Sequence, residues 1–342
     1  MTTLKDIAKE AGVSIMTVSN VINGNHSKVS LKTIEKINDL IKKYNYAPNA
    51  VARSLSMQSS KIIALCIPGS HTEGLLHSPY NSRIVSAIEK FVNTKGYYLM
   101  ISSTPNIDQI ISNINTWNVD GAIFLGLSSE NLNYINSRLS IPFICIDTYH
   151  NLEKVINIGS DDFKGGYLAA KYFINMGHKN IAFASAEEIK SPTLSNNTLL
   201  YKRYLGFKKA LEEVGLDLKQ DHIFGADVSY EGGIQIGKLL AEQSDITAVF
   251  STADIMAIGI IEGARLSGLS VPRNLSVIGY DDLPFSSFVT PKLTTIRQNV
   301  DQKGELAATL LFKLLKGEII KETDTTTLDV ELIERQSVLS IQ

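Results

Sequence analysis

Cysteine is nearly absent: two residues, Cys66 and Cys145, in a chain of 342. Each sits inside an apolar run, which excludes a disulfide framework and implies two buried, reduced thiols. Histidine is sparse too, six in all and scattered. No zinc-ligand spacing arises, and neither a metal nor any other cofactor is expected. Long hydrophobic runs are missing. None approaches the ~20 residues that span a bilayer, so no membrane partner is expected. Lys5, Asp6, Lys9 and Glu10 interrupt the N-terminal segment. They leave no apolar stretch for a secretory signal, which implies a cytoplasmic protein. Catalytic signatures are missing as well: no Gly-Lys-Ser/Thr phosphate loop, no Gly-x-Ser-x-Gly elbow, no metal-ligand cluster. Gly165-Gly166 and Gly232-Gly233 carry no phosphate fingerprint. An enzyme is not expected.

Net charge is also small, −2, but it hides an asymmetry. Residues 1–61 hold nine basic and four acidic side chains, leaving 24 basic and 31 acidic for the rest. A basic head on a larger acidic body is the electrostatic footprint of a nucleic-acid-binding domain with a second function attached. The composition, 44% hydrophobic and 20% charged, excludes intrinsic disorder.

Within the head, Leu4, Ile7, Ala8 and Ala11 share one face of a short helix. Gly12 permits the left-handed conformation that ends it, and Ser14 is a good N-cap for a second helix. Ile15 to Ile22 reads as that helix, with Val18, Val21 and Ile22 inward. Helix, three-residue turn with glycine, helix is the helix-turn-helix pattern, whose second helix enters the major groove. A third helix is predicted from the cap Ser30 to about Tyr44, with Ile34, Ile37, Leu40 and Ile41 inward.

The stretch Thr3–Asn23 and the segment Tyr46-Ala-Pro-Asn-Ala-Val-Ala-Arg-Ser-Leu55 resemble the lac repressor/galactose repressor (LacI–GalR) family of bacterial transcription regulators. The resemblance extends over essentially the whole chain. It implies that Ile15, Met16 and Asn20 form the base-reading face. Asn20 suits adenine, because an amide donates and accepts at once. Ile15 and Met16 depart from the polar residues that many members carry. They either meet thymine methyls or pack on sugar and helix. Thr17 and Ser19 are assigned to phosphate, and His26 and Lys28 to the DNA backbone from a polar loop; Ser14, at the helix start, is a further DNA-binding candidate. In the family, the segment after Pro48 is a hinge helix that pairs with its dimer mate in the minor groove. Ala52, Arg53 and Leu55 match it, and Leu55 would wedge between base steps. A helix this short is marginal alone and is expected to fold only when held.

After Ser60, apolar strand-like runs alternate with helical stretches. Such alternation implies an α/β fold of parallel sheets covered on both faces. The rhythm restarts near Asn180, giving two Rossmann-like subdomains with a cleft between them. This resembles the periplasmic-binding-protein-like core of the same family. The expected division is a helix-turn-helix domain over 1–47, a hinge helix and linker over 48–60, and an effector-binding core over 61–342. Subdomain one covers about 61–159 and 292–322; subdomain two covers about 160–291 and 323–342. Ligands in such sheets sit beyond the carboxyl ends of the strands. Asp281 ends an apolar strand there, and the matching family aspartate binds the effector. Arg203 matches an effector-binding arginine at a helix start. An aspartate accepts from hydroxyls and an arginine donates to them, so the pair suits a sugar, although purine sensors share it. Tyr80 and Asn81 match positions that bracket ligands. Asp147, at another strand end, and Gln298 are further candidates. Asp254 opens a helix and is either a ligand contact or an N-cap.

These observations describe a homodimeric, sequence-specific DNA-binding regulator, most simply a repressor. Its expected partners are a palindromic double-stranded operator and a small-molecule effector of sugar type. The alternatives are a sugar-binding receptor without regulatory DNA binding, or a global regulator that needs a phosphoprotein co-regulator.

Overall fold

The computed structural model describes residues 2–22, 24–46, 59–69, 74–149, 152, 155–190, 198–319 and 326–341. The chain divides into two compact units, 1–61 and 62–342. Most of the expected hinge, including Ala52, Arg53 and Leu55, lies outside the described residues.

In the first unit, α1 (Leu4–Ala11) opens with a reciprocal cap between Thr3 and Asp6 and closes at Gly12, whose φ is 71°. That left-handed residue turns the chain into α2 (Ile15–Ile22). Ser14 Oγ accepts from the Thr17 backbone N–H at 3.1 Å, the cap expected for α2. Ser30 caps α3 (Leu31–Lys43) in the same way. Ile7, Ala8, Ala11, Val18, Val21, Ile37 and Leu40 form the buried centre of the three helices. Lys36 Nζ donates to the Ala11 carbonyl at 2.9 Å, tying α3 to the end of α1.

Among the described residues, the second unit is built on two six-stranded sheets. The first contains β1 (Ile62–Cys66), β2 (Tyr98–Ser102), β3 (Gly121–Leu125), β4 (Phe143–Ile146), β5 (Asn157–Ser160) and β11 (Thr326–Leu328). Their order is β11-β5-β4-β3-β1-β2, and every pairing is parallel. The second contains β6 (Ile181–Ser185), β7 (Ile223–Gly225), β8 (Ala248–Ser251), β9 (Ser276–Asp281), β10 (Thr294–Gln298) and β12 (Val330–Ile333). Its order is β12-β10-β9-β8-β6-β7, parallel except for β12 against β10.

Helices cover both faces of each sheet. On the first, α4 (Pro79–Thr94) and α11 (Val300–Leu315) bury Ile84, Ile88, Val300 and Leu311 on one side. On the other, α5 (Ile107–Thr116) and α6 (Ser129–Asn136) bury Ile110, Ile114, Leu132 and Ile135. On the second sheet, α7 (Asp162–Asn175) and α8 (Leu199–Glu212) face α9 (Tyr230–Ala241) and α10 (Asp254–Leu266) across the strands. Cys66 and Cys145 are both buried and free.

The boundaries expected inside the core need correction. The strand Thr294–Gln298 pairs with β9, so the second subdomain continues to Gln298 and the crossing falls at Asn299, not at 292. Thr326–Leu328 pairs with β5, so the final crossing falls at Asp329, not at 323. The first crossing is at Asp161, since Ser160 still belongs to β5. Backbone pairing sets these limits, and short polar strands such as Thr-Thr-Leu do not announce it.

Candidate functional site

The head presents α2 as an exposed helix. Ile15 is 48% and Met16 71% exposed, and Ser14 beside them is exposed too. Thr17, Ser19 and Asn20 are half-buried on the same helix. His26 lies in the short turn His26–Lys28, exposed, with Nε2 3.3 Å from the Val21 carbonyl. That contact holds the turn against the end of α2. Among the described residues, those assigned to DNA therefore gather along α2 and the turn after it.

In the core, the carboxyl ends of β4 and β9 are joined by buried polar side chains. Asp147 comes directly after β4 with φ 52°, and Asp281 ends β9 with φ 112°. A non-glycine residue at such angles is strained, and strained residues cluster at functional sites. Lys303, in the first turn of α11, donates to Asp147 Oδ1 at 2.7 Å, to Gln298 Oε1 at 2.7 Å and to Tyr80 Oη at 3.2 Å. Its three hydrogens are thereby used. Tyr80 in turn donates to Asp147 Oδ2. Gln298 Oε1 also accepts from Ser160 Oγ at 2.9 Å, so its amide nitrogen turns to Asp281 Oδ1 at 2.5 Å.

Beside this chain lies Arg203. Its Nε donates to Asp162 Oδ1 at 2.8 Å and Nη1 to the Thr252 carbonyl at 2.7 Å. The guanidinium lies 3.4 Å from the centroid of the Tyr280 ring. The crossing of α7 and α8 puts it there. A Cβ on Gly166 would come within 1.9 Å of the Arg203 carbonyl oxygen, so only glycine lets the two backbones touch. Burial works against the charge of Arg203. Asp162, Tyr280 and Asp281 outweigh it and hold the pKa above its usual value.

Asp281 has the opposite balance. Burial pushes its pKa up to about 6, against the pull of Arg203. Its Oδ2 and the Arg203 Nη2 have no hydrogen-bond partner among the described residues. Both residues line a cleft of about 150 Å³, together with Tyr80, Asp147 and Gln298. Aliphatic side chains flank them: Leu199, Leu200, Val228, Ile255 and Leu283. A donor for Asp281 and an acceptor for Arg203, on a small body with an apolar face, is what this arrangement can hold.

Of the residues expected in the cleft, Tyr80, Asp147, Arg203, Asp281 and Gln298 come together. Asp254 does not line it. It caps nothing either, being the first helical residue after Ala253. Its carboxylate is fully buried and takes three donors: Leu283 N–H at 2.8 Å, Ser286 Oγ at 2.6 Å and Thr295 Oγ1 at 2.5 Å. Burial, then the charge of Asp281, push its pKa up to about 8. It holds the chain after β9 in place from behind. Asn81 turns its amide to the Leu75 carbonyl at 3.3 Å, so it positions a loop and does not line the cleft. Arg203 pairs with Asp162 rather than Asp281. Lys303, Asp162 and Ser160 were not expected there. A lysine and an aspartate at helix starts look like solvated charges, and only the tertiary crossing buries them.

The chain can now be set beside known proteins. Residues 3–49 match the family of bacterial regulatory proteins, lacI family, and residues 170–338 match the periplasmic binding protein-like domain. The HTH-type transcriptional repressor PurR of Histophilus somni strain 129Pt is 36% identical over the full length of both chains. That of Pasteurella multocida strain Pm70 is 35% identical over 99% of each. Among solved structures, the lac repressor dimer bound to operator and the anti-inducer ONPF superposes with a TM-score of 0.84. It is 27% identical, and 99% of each chain is covered. A LacI family regulator from Enterococcus faecium with bound ribose gives a TM-score of 0.68 at 25% identity, covering 82% of this chain and all of that one. The chain belongs to the LacI family of bacterial regulatory proteins, transcription regulators rather than enzymes, with a helix-turn-helix head and a periplasmic-binding-protein-like core.

Proposed function

We propose that the protein is a homodimeric repressor that binds a palindromic operator and is controlled by a small molecule in the core cleft. Ser14 to Asn20, with His26 and Lys28, meet the major groove and its phosphates. Ala52, Arg53 and Leu55 meet the minor groove, as the resemblance implies. The dimer follows the lac repressor, a dimer bound to operator. A two-fold protein calls for a two-fold site.

One observation carries the effector reading. Asp281 and Arg203 line the same cleft, each with one polar atom, Oδ2 and Nη2, that has no hydrogen-bond partner among the described residues. Adjacent hydroxyls of a sugar answer both at once. The ribose-bound regulator from Enterococcus faecium supports this reading. The aliphatic walls favour a second reading, a planar nitrogen heterocycle of purine type. Such a ring offers an N–H to Asp281, an acceptor to Arg203, and two apolar faces to the leucines.

Calorimetric titration with a panel of pentoses, hexoses, sugar phosphates and purine bases tests both readings. A ligand at 100 times its Kd stabilises the core by ~2.7 kcal/mol, which a thermal shift also detects. Binding that survives Asp281→Asn unchanged would remove this cleft from the function. A ligand that binds without altering operator affinity would reduce the core to a receptor.

A further inference from the structure

Helix α2 carries neither an acidic nor a basic side chain over Ile-Met-Thr-Val-Ser-Asn-Val-Ile. Guanine is read in the major groove by an arginine or lysine on O6 and N7, and cytosine by a carboxylate that accepts from N4. The helix has none of these groups. What it exposes at its first turn is apolar, Ile15 at 48% and Met16 at 71%. The inward face is already supplied by Val18 and Val21, so these two side chains do not pack into the head. The hydroxyls of the same turn are engaged locally: Ser14 Oγ and Thr17 Oγ1 lie 2.9 Å apart, and Ser14 also caps the Thr17 N–H.

Residues at this end of a recognition helix meet base edges. The apolar feature of the major groove is the 5-methyl group of thymine. Methionine, unbranched and polarisable, adapts readily to such a surface. Asn20 stands four residues beyond Met16, on the same face one turn along. Its amide matches adenine.

We propose that α2 reads A·T pairs: Ile15 and Met16 through thymine 5-methyl groups, and Asn20 through adenine N6 and N7. This rests on the DNA-binding function of the head and names the base class it selects. Methyl contact, in place of packing on sugar, is the discriminating element.

The test uses the full chain to select duplexes from a random pool, with and without a deproteinised cell extract as a source of small molecules. The selected duplex is then remade with deoxyuridine in place of thymine, one position at a time. This removes the methyl group and leaves every hydrogen-bonding edge intact. At two positions per half-site uracil should weaken binding about fourfold, the worth of one buried methyl group. Met16→Ala should abolish that sensitivity at one position and Ile15→Ala at the other. Asn20→Ala should lower affinity while leaving both uracil effects in place. Equal binding of thymine and uracil duplexes at every position overturns the proposal, as does a half-site of G·C pairs throughout. Selection of no duplex under either condition overturns the DNA-binding reading and this proposal with it.

Discussion

The Lys303 ammonium and the Gln298 side-chain carbonyl meet at 2.7 Å across the crossing between the two sheets. Because Oε1 faces a cation and a hydroxyl, the Gln298 amide cannot turn over without setting N–H₂ against the ammonium. Lys303 thus orients the group that holds Asp281, and it also neutralises Asp147 on the other sheet. Both members of the Lys303–Asp147 pair are almost wholly buried, with side chains 1% and 5% exposed. Breaking such a pair from one side leaves an uncompensated charge, which costs about 3–5 kcal/mol. Lys303→Met should lower stability by that amount in a denaturant titration. Adding Asp147→Asn should recover much of the loss. A single variant as stable as the parent would show that the lysine is not the counter-charge.

The cleft carboxyls should make the core sensitive to pH. Asp281 and Asp254 both titrate above the ordinary carboxyl range, about 6 and about 8, because burial penalises their charged forms. A carboxyl whose folded pKa is raised binds its proton more tightly in the folded state. Its contribution to stability is therefore fully present below the unfolded pKa, near 4, and is lost as pH rises through the folded value. Core stability should fall between about pH 4 and 8. Asp281→Asn should remove the Asp281 part of that slope and, by taking away a charge that raises the Asp254 pKa, reduce the Asp254 part as well. Thermal melts of parent and variant across this range decide it, and parallel curves would contradict the assignment.

Much of this architecture could be read from residue pattern, for a physical reason. Strands buried on both faces are continuous apolar runs, so Ile62–Cys66 and Ala248–Ser251 stand out. Asn157–Ser160, an inner strand, and Thr326–Leu328, the edge strand beside it, do not, because backbone pairing rather than an apolar run places them and tolerates Asn, Gly, Ser and Thr. Asp281 was recognisable as the end of such a run. The partner of Arg203 was not: Asp162 lies 41 residues away and reaches it only through the crossing of α7 and α8. Lys303 was hidden for a related reason. Its helix begins Val-Asp-Gln-Lys, a turn that reads as solvated until α11 is seen lying on the first sheet.

That crossing of α7 and α8 should itself be intolerant of one methyl group. A Cβ at Gly166 would meet the Arg203 carbonyl at 1.9 Å, and one at Gly206 the Phe163 carbonyl at 1.8 Å. Backbone oxygens cannot rotate away as side chains do, so the helices must separate. Overpacking of this kind typically costs about 1–3 kcal/mol, and a backbone clash belongs at the upper end. Gly166→Ala should lower the melting temperature and also shift Arg203 relative to Asp162. Effector affinity should then fall more than for Gly215→Ala, where a Cβ meets nothing within 4 Å although φ is 72°. Equal effects from the two substitutions would mean that the crossing does not position the site.

Removing the head should separate the two functions cleanly. Residues 1–61 form a compact unit with its own buried centre, and 62–342 form another that holds every residue of the cleft. A chain beginning at Ser59 retains β1 whole, so its first sheet keeps all its strands. It should melt cooperatively and bind the same small molecule with the parent's affinity. It should show no specific operator binding, since α2 and most of the basic residues of 1–61 are gone. For the full chain, operator affinity should fall steeply with salt, by ~0.9 in log–log slope for each phosphate neutralised. The truncated chain should have no such slope to measure. A gel shift of the same duplex by the shortened chain, or loss of ligand binding in a fragment that still melts cooperatively, would refute this division of labour.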